Sequence, residues 1–282
     1  MVNKTKIQAF VTKLIPYRLW VQAGFLMVWL DPLKVRMHSF CSPVFHCYAC
    51  PLATFACPIG IIAQFSALHL FPFMAIGLLL LLGSLLGSVI CGWLCPFGLL
   101  QDLAARIPTP KWKIPAWLGM GRYVMLVGTV ILIPYLWGET HSLFVCNICP
   151  AGGLEKAVPD MVTAASQGQP IPWPNAIKIG IIVTFLIAMV FTIRPWCRIL
   201  CPLGAIYGLC NRFSILRLDL KEHQCTECGR CRTLCNYNVQ PDKTPNSDQC
   251  LRCLECTRCG PGALQTSTVF AEADDSKEQK TA

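Results

Sequence analysis

Four stretches of the chain are apolar almost without interruption, at about 14–31, 68–90, 122–138 and 175–196. Each approaches the roughly 20 residues that a helix needs to cross a bilayer. Backbone groups in lipid must be satisfied within their own segment, so apolar runs of this length predict membrane helices. The third run is short and carries Pro134, which removes a helical hydrogen bond. The second contains Gly83 and Gly87 at the spacing that lets another helix approach, although small residues are also common in such helices without that role. Four spans place both termini on one side.

Charge sets the direction. Of 24 lysines and arginines, 20 fall in the N-terminal segment, in the loop after the second run and from Arg194 onward. Lys34, Arg36 and Lys156 are alone on the opposite loops, and Lys178 lies inside the fourth run. By the positive-inside rule, both termini are cytoplasmic in a multi-pass protein of a bacterial or archaeal cytoplasmic membrane. The sequence LDPLKVRMHSF after the first run lacks a small-x-small cleavage pattern, which predicts a retained helix rather than a signal peptide. Net charge is +9, but the basic residues are scattered and unaccompanied by base-stacking motifs, so nucleic acid is not a predicted partner. Lipid is.

The 19 cysteines change the picture most, because a chain of 282 residues is no small disulfide scaffold. Cys225, Cys228, Cys231 and Cys235 have the spacing of a bacterial ferredoxin run, and Cys250, Cys253, Cys256 and Cys259 form a second run one residue short in its last gap. In such pairs the fourth cysteine serves the other [4Fe–4S] cluster. The expected sets are therefore Cys225, Cys228, Cys231 and Cys259, and Cys250, Cys253, Cys256 and Cys235. Four thiolates in CxxC pairs also suit zinc.

A different pattern, CxxxCPxG, occurs at Cys91–Gly98 and again at Cys197–Gly204, both at predicted cytoplasmic span ends. Two cysteines cannot complete a cube, but Cys91, Cys95, Cys197 and Cys201 together can. Proline is expected to break the helix there, and glycine to allow close backbone approach. The CPxG ending recurs at Cys57 and Cys149, in loops assigned to the outside. An outer cluster from Cys57, Cys146 and Cys149 with one or both of Cys47 and Cys50 is one reading; disulfides in an oxidising compartment are the other. Cys41 has no assigned role, and Cys210 reads as a small buried apolar residue. No CxxCH haem motif occurs. His46, His69 and His141 lie on the predicted outer side with Asp31 and Glu139, where a quinol-oxidising site would need a proton acceptor, although each reads first as a solvated interfacial residue. Trp93, Trp137, Trp173 and Trp196 read as interfacial anchors.

The predicted fold class is an all-α integral membrane protein. Residues 1–213 form four transmembrane helices, 214–270 a cytoplasmic two-[4Fe–4S] bacterial ferredoxin-like domain, and 271–282 a polar disordered tail. The two CxxxCP motifs and the double ferredoxin run resemble the NapH-type polyferredoxins, membrane subunits of quinol dehydrogenase modules serving periplasmic nitrate reductase, and the membrane half of NosR-type proteins. The resemblance covers roughly 60–270 and implies electron transfer between the quinone pool and other redox subunits, periplasmic or cytoplasmic. The chain departs from it in the outer cysteines and the shortened last run. Two other functions stay open: a quinone-independent conduit from a cytoplasmic donor to an outer acceptor, and a zinc-binding membrane metal sensor or handler. No nucleotide loop, flavin fingerprint or nucleophile–base pair is present, and no catalytic residue is expected.

Overall fold

The computed structural model describes residues 13–30, 57–152, 161, 165, 168, 176–259 and 263–268. Cys41, Cys47, Cys50, Asp31, His46, Trp173 and the tail lie outside them. Six helices carry the N-terminal part: α1 (Arg18–Leu30), α2 (Pro58–Ala67), α3 (Phe73–Leu86), α4 (Pro96–Ala104), α5 (Ala116–Trp137) and α6 (Ala176–Phe191). After α7 (Pro202–Cys210), strands β1 (Leu216–Leu220) and β2 (Leu264–Thr268) pair antiparallel, Leu216 opposite Thr268, and bracket both ferredoxin-type runs.

Among the described residues one helix, α5, is long and apolar enough to cross a membrane; α2, α3 and Lys178–Phe191 are apolar but shorter. Four full-length spans are therefore not confirmed among the described residues, and local chemistry shows where the apolar runs are interrupted. Pro72 precedes α3, and Gly87, at φ 59°, ends it. The run at 175–196 stops at Phe191, because Arg194 adopts a left-handed backbone and Pro195 starts a new turn. The short third run is instead the long helix. Its chain passes through a wider π turn at Leu126–Leu132 just before Pro134, where a hydrogen bond is lost in any case. Helix α2, which hydropathy had not separated from its surroundings, begins at Pro58, where proline's fixed φ suits the first helical position. Leu80 and Leu81 of α3, Val124, Val127 and Ile131 of α5, and Val183, Leu186 and Ile187 of α6 face outward. A broad apolar exterior of this kind belongs to proteins that meet lipid or a partner.

The ferredoxin-type segment is built into the helical core. Tyr237, Val239, Leu251 and Cys253 share one buried cluster with Phe97, Trp196, Cys95 and Cys201. Arg252 is almost fully buried, donating to the carbonyls of Leu86 at 3.3 Å and Asn211 at 2.8 Å and to that of Leu216. Asn211 ties Ser88 to the carbonyl of Cys250 at 2.9 and 2.8 Å, and Arg122 at the start of α5 pairs with Asp248 at 2.8 Å. The GxxxG of α3 does receive close neighbours, but from α7 and this segment: a Cβ on Gly83 would meet Cys210 Sγ at 2.6 Å, and one on Gly87 would meet Asn211 and Arg252 below 3 Å. Trp93 and Trp196 are buried rather than interfacial, Trp93 Nε1 donating to the carbonyl of Arg252 at 3.2 Å. Trp137 is exposed.

Candidate metal centres

The CPxG ending proves to be a helix start. In all four copies the proline is the first residue of a helix or helical turn: Pro58, Pro96, Pro150 and Pro202. The expected break is thus a beginning, since proline at this position gives up only a donor that has no intrahelical partner. The cysteine takes the capping position. Gly60 and Gly204 each donate a backbone N–H to the sulfur three residues earlier, Cys57 and Cys201, at 3.4 Å, and Gly98 does the same for Cys95. A sulfur held there, at the positive end of a helix, suits a thiolate.

Cys91, Cys95, Cys197 and Cys201 come together. All four are buried in one cluster, and the charge of Cys201 is felt against Cys197, Cys91 and Cys95. Burial pushes all four thiols up, Cys95 to about 12, so unliganded they hold protons that a metal must displace. Beside them lies a buried charged network that sequence reasoning missed. Arg194, fully buried, donates from Nε and Nη2 to both oxygens of Asp102 at 2.7 and 2.6 Å and from Nη1 to the carbonyl of Cys91 at 2.8 Å. Arg18 reaches the same carboxylate at 2.7 Å. Charges 84 and 92 residues apart carry no local signal of pairing. Gln101, one turn along α4 from Phe97, donates to Cys197 Sγ at 3.1 Å.

The residues present fit an iron–sulfur group at this place. Gly98, Gly204 and Gln101 give three sulfurs a donor, and in the same buried cluster the Tyr207 hydroxyl and Trp196 Nε1 have no partner among the described residues. Orphaned donors around acceptor sulfurs are what an anionic cluster would satisfy.

The C-terminal cysteines form two further groups. The charges of Cys228 and Cys225 act on Cys259, and that of Cys259 on Cys231; those of Cys250, Cys253 and Cys235 act on Cys256. The fourth cysteine of each run therefore sits with the other run. The first group lines an open cavity of about 610 Å³ with Arg232 and Asp242, and its exposed Cys228 is pulled below the usual thiol range by the Arg230 amide and the Thr226 hydroxyl. The second is buried, with Cys250 pushed by burial to about 12. Among the described residues, no three His, Cys, Asp or Glu side chains close to the spacing of a single-ion site, such as the roughly 2.3 Å shell of zinc.

Helix α2 packs against the C-terminal part of α5, Ser66 donating to the carbonyl of Ile131 at 3.0 Å, and at its start Cys57 and Cys146 meet across Gly60: a Cβ there would lie 3.4 Å from one sulfur and 3.8 Å from the other. Cys149 caps the next turn. On the same end, Gln64 holds Glu139 at 2.5 Å, and His69 stands edge-on to Tyr135 at 4.4 Å. His141 lies 5.6 Å from the ring of Trp137.

Two stretches, 68–115 and 176–220, match the 4Fe-4S binding domain family. Each spans a helix, a CxxxCP pair and the helix that follows. The resemblance to NosR-like ferredoxin-type proteins holds. An uncharacterised protein of Methanocaldococcus jannaschii is 27% identical over 68% of this chain and 77% of its own. The putative electron transport protein YccM of Escherichia coli K12 is 23% identical over 70% of this chain and 53% of its own. The regulatory protein NosR of Stutzerimonas stutzeri is 25% identical over 60% of this chain, a region that is 23% of NosR. No solved structure matches. The chain thus carries two stretches of the 4Fe-4S binding domain family and is similar to NosR-like electron-transport proteins, with one candidate membrane helix among the described residues.

Proposed function

We propose that the chain is a multi-pass membrane relay passing electrons between the quinone pool and a redox partner, in the manner of a NapH-like quinol dehydrogenase subunit. The observation that carries the reading is adjacency: the chain around Cys91 packs directly on the second ferredoxin-type run, Ser88 Oγ donating to the carbonyl of Cys250 at 2.6 Å and Trp93 Nε1 to that of Arg252 at 3.2 Å. Bound [4Fe–4S] clusters supply single-electron transfer. Cys91, Cys95, Cys197 and Cys201 would hold one; the two crossed sets within 214–270 would hold two more. The chain's own part is to exclude water, to cap each sulfur and to keep the exposed Cys228 group toward a soluble partner. Glu139 and His69, together at the far end of α5, are suited to take protons from a quinol.

A second reading, a conduit reaching an outer acceptor without quinone, is favoured by the meeting of Cys57 and Cys146 at Gly60. One experiment separates the readings. Protein purified anaerobically is assayed for iron, zinc and acid-labile sulfide, then mixed with a reduced short-chain quinol. About 12 to 16 irons, at four per cube, and cluster reduction by the quinol are expected. Loaded clusters that ignore the quinol favour the conduit; zinc without sulfide overturns both in favour of a metal sensor or handler.

A further inference from the structure

We propose that Gln101 and Tyr207 set the reduction potential of the centre held by Cys91, Cys95, Cys197 and Cys201, by donating side-chain hydrogen bonds to two of its sulfurs. The inference rests on the cluster reading above. Two of the four sulfurs, on Cys95 and Cys201, take a donor from the glycine of their own CPxG turn. The first cysteine of each CxxxCP pair lies before that turn and has no such amide. Its donor comes from another element.

For Cys197 the donor is Gln101 of α4, fully buried, with Nε2 at 3.1 Å from Sγ. Among the described residues the other acceptor for that nitrogen is the helical carbonyl of Phe97, at a marginal 3.4 Å, and Oε1 has no partner. A buried amide in such a state costs stability, and methionine or leucine would fill the volume without that cost. Cys91 has no side-chain donor in place among the described residues, and the candidate for a bound centre is Tyr207 of α7. Its ring is fully buried in the same cluster, and its hydroxyl has no partner among the described residues. Leaving such a hydroxyl dry costs about 1–3 kcal/mol. Burial raises its pKa, and the next influence on it is the charge of Cys91. Gln101 thus serves one of the two sulfurs that the CPxG turns do not, and Tyr207 brings an unused donor to the same buried cluster.

The consequence is electrostatic. Reduction adds negative charge to a group already held by four thiolates, so each hydrogen bond to sulfur favours the reduced form more than the oxidised one. In a buried site this difference is weakly screened. Removing a donor therefore moves the midpoint potential negative without removing a ligand.

Gln101→Met and Tyr207→Phe, singly and together, are made in the full chain, loaded anaerobically, and titrated potentiometrically with electron paramagnetic resonance detection. Iron and sulfide should stay at the wild-type count. The midpoint of the CxxxCP centre should move negative in each single variant and further in the double, while the centres of the C-terminal runs stay in place. Full loading with unmoved or positive-going midpoints overturns the proposal. If Gln101→Met fails to load, Tyr207→Phe, which removes one oxygen and keeps the ring, decides alone. Wild-type protein without sulfide would sink the cluster reading itself.

Discussion

The same tetrapeptide, CPxG, starts helices at both ends of the molecule, and its surroundings could hardly differ more. At Cys95 the glycine faces the guanidinium of Arg194, the next turn of the helix supplies Gln101 and Asp102, and the C-terminal segment packs on top. At Cys57 the atoms nearest the glycine belong to its own cysteine and to Cys146. The motif by itself makes a capped sulfur. What surrounds the sulfurs at the CxxxCP end is a buried ion pair and a docked segment, neither of which the motif encodes.

The strongest way to break this contrast is Asp102→Ala. The carboxylate takes both Arg194 and Arg18, and Arg194 is fully buried. Removing one partner of a buried pair leaves an uncompensated charge, at about 3–5 kcal/mol. The variant should unfold earlier in detergent and lose about four irons, the content of one cube, with the outer end unaffected. Wild-type stability and iron content would show that Arg194 finds other partners and that the network is not what holds the inner site.

Substituting cysteines sharpens the same comparison. Cys95→Ser should remove about four irons, and Cys201→Ser in the same chain no more, because four thiolates hold one cube. Cys149→Ser asks the question of the outer end: a further loss of about four irons, measured anaerobically, puts a cluster there, whereas an unchanged count makes those cysteines structural and returns the protein to a one-sided role.

Spacing made the cysteine groups legible, since CxxC and CxxxCP intervals are local facts, and the crossing of Cys235 and Cys259 follows from them. The helices were legible in position and less so in length: apolar composition does not register that Pro72, Gly87 and Arg194 interrupt the backbone, nor that a π turn carries α5 up to Pro134. Asp102, Arg194, Gln101 and Arg252 were not legible at all. Their roles depend on partners about 40 to 170 residues away, and a lone polar residue in an apolar chain looks the same whether it faces solvent or an ion pair. Trp93 shows the error such reasoning invites, a span-end tryptophan that anchors a domain instead of an interface.

The smallest expected effect isolates the glycine of the motif. A Cβ on Gly98 would stand 3.1 Å from the Arg194 guanidinium, which cannot retreat because Asp102 and the Cys91 carbonyl hold it. Overpacking of this kind costs about 1–3 kcal/mol, against which alanine's better helix propensity returns up to about 1 kcal/mol. Gly98→Ala should therefore lower the thermal midpoint of the purified protein modestly. A Cβ on Gly60 would meet Cys57 Sγ at 3.4 Å and Cys146 Sγ at 3.8 Å, ordinary contact distances, with no charged group pressing on it. Gly60→Ala should be neutral or slightly stabilising, because the stiffer residue mainly restricts the unfolded chain. Equal losses in the two variants would mean that the glycine serves the capped turn itself at both ends, and that Arg194 merely occupies space the turn leaves open. Unequal losses would tie the inner glycine to the ion pair, and with it the rigidity that separates one end of the molecule from the other.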